Sequence, residues 1–96
     1  PLMRKYELVC ILHPDLEEAA FNDALDSIKG WIGEKNGTVD SVDNWGRRKM
    51  AYLIRKQIEG QYVLLNASMA PGATAELERK LRFLEPLMRH MLVLVN

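Results

Sequence analysis

Apolar residues along the chain fall into two rhythms, a two-residue alternation and a helical spacing of three and four. Arg4 to Leu12 alternates. Tyr6, Leu8, Cys10 and Leu12 would line one face of a strand, while Val9 and Ile11 make the other face partly apolar, which suits a central place in a sheet. His13-Pro14 ends this strand, because proline cannot donate to a ladder. Asp15 then reads as an N-cap with Glu18 at capping-box spacing. Phe21, Leu25, Ile28 and Ile32 follow at steps of a helix stripe. Lys35-Asn36-Gly37 closes that helix, since asparagine and glycine accept the positive φ of a C-cap.

A weakly patterned strand from Thr38 to Asn44 runs on into Trp45-Gly46-Arg47-Arg48-Lys49-Met50-Ala51-Tyr52-Leu53-Ile54-Arg55-Lys56. Here Met50, Tyr52 and Ile54 alternate with Ala51, Leu53 and Arg55. Arg47, Arg48 and Lys49 place charge on both faces, which an edge strand tolerates and a central one does not. Such charges either guard the edge against aggregation or offer a basic rim to a polyanion. Tyr52 is expected in the core, with its hydroxyl bonded locally. Gln57-Ile58-Glu59-Gly60 reads as the hairpin turn, and Gln61 to Met69 as the return strand, with Val63, Leu65, Ala67 and Met69 facing the core. Pro71-Gly72 breaks it. Thr74 would cap a second helix carrying Leu77, Leu81 and Leu84, closed by Pro86. Leu87 to Val95 is a final apolar strand, interrupted by Arg89-His90.

The order β-α-β-β-α-β predicts an α+β, ferredoxin-like domain: a four-stranded antiparallel sheet with two helices on one face. Right-handed crossovers put the first and third strands in the middle and the basic strand at a rim. No helix is left to cover the other face, where Val9, Ile11, Tyr62 and Leu64 would cluster as a surface for a partner.

Ninety-six residues make one domain, taken as 3–96, with Pro1-Leu2 as an extension. A composition of 48% hydrophobic and 27% charged residues excludes disorder. Net charge is zero, yet it is unevenly distributed. Residues 1–45 carry four Lys/Arg against nine Asp/Glu, and residues 46–96 carry nine against four. The second half therefore supplies the anion-facing surface. Cys10 is the single cysteine and sits in an apolar run, so it reads as a buried, inert thiol in a reducing compartment. No apolar run approaches the ~18 residues of a membrane span, and the charged start is not that of a signal peptide.

Candidate chemistry is sparse. His13 and His90 have no cysteine or carboxylate at ligand spacing, so neither a metal nor a cofactor is expected. His90, beside Arg89, could help to hold a phosphate. No serine has a nucleophile-elbow context. The acylphosphatases of this fold need a glycine-rich, arginine-bearing anion loop after the first strand, where this chain has Leu12-His13-Pro14-Asp15-Leu16. An enzyme is therefore not expected. RNA-recognition domains of the same architecture stack bases on aromatics of their central strands. Here Tyr62 has the aliphatic Val9 and Leu64 as neighbours, so phosphate contacts from the basic strand and the helix ends are the better expectation.

The motifs also carry a resemblance. Met3-Arg4-Lys5-Tyr6-Glu7, then Gly46-Arg47-Arg48-Lys49-Met50-Ala51-Tyr52-Leu53-Ile54-Arg55, then Leu81-Arg82 with Met88-Arg89-His90-Met91-Leu92-Val93, resemble ribosomal protein six of the bacterial small subunit. The likeness runs from Met3 to Val95. Met50 stands where that family usually has leucine, a near volume-neutral swap. No acidic tail of the kind some members carry follows Asn96, so no tail function is expected. The resemblance implies a cytoplasmic, non-enzymatic constituent of the small ribosomal subunit. It would bind the central domain of the small-subunit ribosomal RNA together with ribosomal protein S-eighteen. It implies RNA contacts at Arg4, Arg47, Arg48, Lys56, Arg82 and Arg89, and Glu7, Tyr62 and Leu64 are expected on the protein partner's side. The alternative is a ferredoxin-like protein–protein module with no RNA role.

Overall fold

The computed structural model describes residues 2–95; Pro1 of the expected extension and Asn96 at the end of the domain lie outside them. The elements are β1 (Arg4–Leu12), α1 (Glu18–Glu34), β2 (Thr38–Ile54), β3 (Gln57–Met69), α2 (Thr74–Arg82) and β4 (Leu87–Val95). They form one antiparallel sheet in the order β2-β3-β1-β4, so the expected ferredoxin-like arrangement is the one adopted. The period-two pattern sets its register. Leu8 pairs with Leu65 and Leu92, while Val9 pairs with Leu64 and Met91. A slip of one residue would turn both sets to the wrong side.

The core lies between the sheet and both helices. Leu8, Cys10, Leu12, Val63, Leu65, Ala67 and Met69 meet Phe21, Leu25, Ile28 and Ile32 of α1, with Leu77 and Leu81 of α2. Helix α1 ends in a Schellman motif, as the Lys35-Asn36-Gly37 signal suggested. Asn36 takes φ 63°, its N–H donates to the Gly33 carbonyl, and the Gly37 N–H donates to the Ile32 carbonyl.

The helix starts differ from expectation. Asp15 does not cap α1, which begins at Glu18 with Glu17 in the cap position and no side-chain cap. A turn closed by the Leu16 N–H on the His13 carbonyl takes up residues 13–16, and the Asp15 N–H donates to His13 Nδ1. Thr74 is the first residue of α2 rather than its cap. A 3₁₀ turn, Pro71–Ala73, runs straight into the helix, and the Thr74 hydroxyl donates to the Pro71 carbonyl. Helix α2 stops at Arg82, before Pro86, whose carbonyl instead accepts from the His13 N–H. β4 passes through Arg89 and His90 without interruption, since the two point to opposite faces.

The hairpin turn is Arg55-Lys56, not Gln57–Gly60. Ile54 pairs with Gln57, and Arg55 and Lys56 take φ 51° and 65°, the positive values that a two-residue I′-type turn requires. Gly60 serves close approach instead: a Cβ there would stand 2.4 Å from Ile11 Cγ2. A straight 17-residue strand would span roughly 56 Å, whereas the longest dimension of the molecule is 41 Å. β2 therefore bends. Register shifts fall at Val39/Ser41, Asn44/Gly46 and Lys49/Ile54, and Gly46 takes φ 78° with Asn44 Oδ1 accepting from its N–H. The far end of the hairpin lies over the helix-free face, where Met50 is buried with Ile11 and Met88 and flanked by Ile54 and Tyr62.

Candidate nucleic-acid interface

The helix-free face is built from alternate residues of the four strands. Glu7, Val9 and Ile11 stand beside Tyr62, Leu64 and Asn66 on one side and Arg89, Met91 and Val93 on the other. Thus the residues expected at the partner's side, Glu7, Tyr62 and Leu64, do share one surface. Glu7, Val9, Tyr62 and Leu64 are half-buried, and Met91 is 51% exposed. Where the hairpin end meets this face, Val9, Ile11, Met50, Tyr52, Tyr62 and Met91 line a groove of about 220 Å³.

Tyr52 is not a core residue; it is 57% exposed at the rim of that groove. The four residues 50–53 oppose only Ile58, so the strand bulges and the ring swings clear of the sheet. Its hydroxyl accepts a hydrogen bond from Arg89, whose guanidinium stands 5.8 Å from the ring centre. His90 is turned away from Arg89: on the helix side its Nε2 lies 3.2 Å from Glu78 Oε1, so it adds nothing to an anion site around Arg89.

The six arginines and lysines singled out in the sequence are all exposed, and they do different things. Arg47 is held by carboxylates. Its Nε donates to Glu59 at 2.7 Å, its Nη2 lies 3.5 Å from Asp15, and its Nη1 donates to the Pro14 carbonyl at 3.2 Å. The Glu59 hydrogen bond raises its pKa further above the usual arginine value, and the guanidinium ties the hairpin to the β1–α1 connection. Arg48 stands 5.4 Å from the Trp45 ring centre. Lys56 occupies the hairpin tip and Arg82 the last turn of α2. Arg4 lies at the start of β1, opposite Met69 and away from the tip.

Arg55, which the sequence pattern did not single out, is a strut. Its Nη1 donates to the Glu85 carbonyl at 2.9 Å and its Nη2 to that of Leu87 at 3.2 Å, docking the tip on the start of β4. Only a fold that carries the tip across the sheet reveals this. Gln61 has a similar part, since its side-chain amide donates to the carbonyls of His13 and Leu16. On the helix side, Lys35–Glu76 and Lys80–Glu34 join α1 to α2. The Lys35 hydrogen bond holds the Glu76 carboxyl below its ordinary value and raises Lys35 in return. Of the acids in the first half, Asp15 is engaged by Arg47 and Glu34 by Lys80, both across long stretches of chain, while Lys56 at the tip and Arg82 at the end of α2 make no ion pair among the described residues.

Burial pushes the Cys10 thiol up to about 12, so it stays an unreactive core side chain. Among the described residues, no three His, Cys, Asp or Glu side chains are grouped to hold a metal ion, and no helix is long and apolar enough to cross a membrane.

A helix-backed sheet with one bare apolar face, edged by arginine and lysine, defines a ferredoxin-like α+β protein that works through its surface. Comparison with known proteins makes this specific. The model of the family described as ribosomal protein S6 matches residues 5–94. Small ribosomal subunit protein bS6 of Clostridium perfringens is 44% identical over 91 residues, which cover 95% of this chain and 96% of that protein. The counterpart from Clostridium novyi is 46% identical over the same shares. The crystal structure of 30S ribosomal protein S6 from Thermotoga maritima superposes with a TM-score of 0.90 at 28% identity, covering 98% of this chain and 89% of that one. The chain belongs to the ribosomal protein S6 family. It is a structural, non-enzymatic protein of the small ribosomal subunit, and its place is the ribosome.

Proposed function

We propose that this protein binds the central domain of the small-subunit ribosomal RNA jointly with ribosomal protein S-eighteen. The bare sheet face carries the reading. Half-buried Val9, Tyr62 and Leu64, with exposed Met91 and Val93, form one apolar surface too wet to be a core and too continuous to be scatter. S-eighteen covers it, with Glu7 at its polar margin. RNA lies against the cations around that face and at the hairpin tip: Arg48, Lys56, Arg82 and Arg89. Arg4 contributes from the far end of β1. Arg47, tied to Glu59 and Asp15, acts chiefly by fixing the hairpin that carries its neighbours. A chain of zero net charge has little attraction for RNA alone, so a basic partner supplies much of the counterion release.

The test is filter binding of a central-domain RNA fragment across a salt series. The protein alone binds weakly, and adding S-eighteen strengthens binding at least about tenfold. Tight, salt-resistant binding by the isolated protein would contradict this. A stable pair with S-eighteen that gains nothing from RNA would favour a protein–protein module instead.

A further inference from the structure

We infer that Phe83 is a stacking platform for one unpaired RNA base, with Arg82 and Lys56 as the accompanying phosphate contacts. The inference rests on the RNA-binding reading above and assigns that binding a specific place.

Phe83 is 80% exposed, while Leu81 beside it is buried and Leu84 packs on the core. The cause is local. Phe83 sits where the chain leaves α2, at φ −100° and ψ 2°, and its N–H donates to the Lys80 carbonyl, so the backbone is fixed and the ring points outward. An exposed phenyl on an ordered backbone suits stacking, which asks only for a flat apolar surface held in place.

Its surroundings choose the partner. The last turn of α2 carries Arg79, Lys80 and Arg82. Lys80 is paired with Glu34, whereas Arg79 and Arg82 make no ion pair among the described residues. The Arg55 strut brings the hairpin tip, and with it Lys56, to the α2–β4 connection that begins at Phe83. Both tip residues are held at positive φ without glycine, a backbone cost that concentrates at working surfaces. Glu85 is the one carboxylate in residues 83–86. An apolar protein partner on Phe83 would have to desolvate these cations with nothing to pair them. A nucleotide offers a flat base and a phosphate together.

The experiment uses the central-domain RNA fragment with S-eighteen present. Phe83→Ala weakens binding by about tenfold with the slope against salt unchanged, because stacking releases no counterions, and Phe83→Tyr keeps most of the affinity. Arg82→Ala instead lowers the salt slope by about one. In Phe83→Trp, RNA quenches fluorescence beyond the change seen for Trp31 and Trp45 in the parent protein. Unchanged affinity in Phe83→Ala together with no added quenching in Phe83→Trp overturns the inference and leaves joint RNA binding standing. Loss of S-eighteen binding by Phe83→Ala without RNA overturns it in favour of a protein contact. If the parent protein with S-eighteen does not bind the fragment, both readings fall.

Discussion

On β3, Leu64 and Leu65 are neighbours in sequence and meet opposite fates: Leu65 is fully buried beneath the helices, and Leu64 stays half-exposed on the bare side. The same contrast holds on β1 for Leu8 and Val9, and a weaker one on β4, where Leu92 is partly buried against the core and Met91 is exposed. The middle of both faces is apolar, although Glu7, Asn66 and Arg89 mix polar groups into the bare one; for the apolar residues, what differs is whether the fold supplies a second layer. The helix-covered face has one and is close-packed. The bare face has only the folded-back hairpin end, which shields Ile11 and Met88 through Met50 and leaves the rest wet. An apolar surface without a layer above it is a place for another molecule.

Paired truncations sharpen the comparison most. Leu65→Ala should cost about 3–5 kcal/mol in urea unfolding, the cost of a cavity that cannot collapse. Leu64→Ala should cost less than about 1 kcal/mol, yet weaken S-eighteen binding by about tenfold in titration. Equal stability losses at the two positions would mean that the bare face is an ordinary core. Met50→Ala should fall between them, near about 2 kcal/mol, because its cluster is small and open on one side. A loss no larger than that of Leu64→Ala would show that the hairpin end does not pack as described. The smallest effect is expected at the tip: Lys56→Gly relieves a positive φ and should stabilise the domain by up to about 1 kcal/mol, while joint RNA binding weakens. Raised stability with unchanged RNA affinity would remove Lys56 from the interface.

The central strands were legible because each side chain is sorted by one strong rule, apolar inward at every second position. Tyr6, Leu8, Cys10 and Leu12, then Val63, Leu65, Ala67 and Met69, followed it without exception. The helix stripes were equally plain, as was the C-cap at Asn36. Misreadings gathered where several weak local preferences compete. Gly60 looked like a turn residue, but its missing Cβ serves a contact with Ile11, which lies 49 positions away in the chain. Arg55-Lys56 gave no turn signal, since neither residue favours positive φ. Asp15 and Thr74 are good capping residues that neighbouring turns had already engaged. Tyr52 looked apolar enough for the core, and a four-residue bulge carried it outside.

The candidate surface divides in the same way. The cations and the apolar residues of the bare face could be named in advance from charge runs and alternation. Which cations are committed could not, because Arg47 meets Glu59 and Asp15, and Arg55 meets two carbonyls, only after distant segments come together. Phe83 passed unremarked, since one aromatic in a helix end looks the same whether its ring is covered or bare.

By itself the sequence determined the order of elements, the face each central side chain takes, and the family, because periodicity and motif are properties of neighbouring residues. The tertiary structure alone decided where the long hairpin bends, which charges are engaged and which aromatic rings stand in solvent. Those outcomes depend on contacts between residues far apart in the chain, whose energies no local pattern encodes.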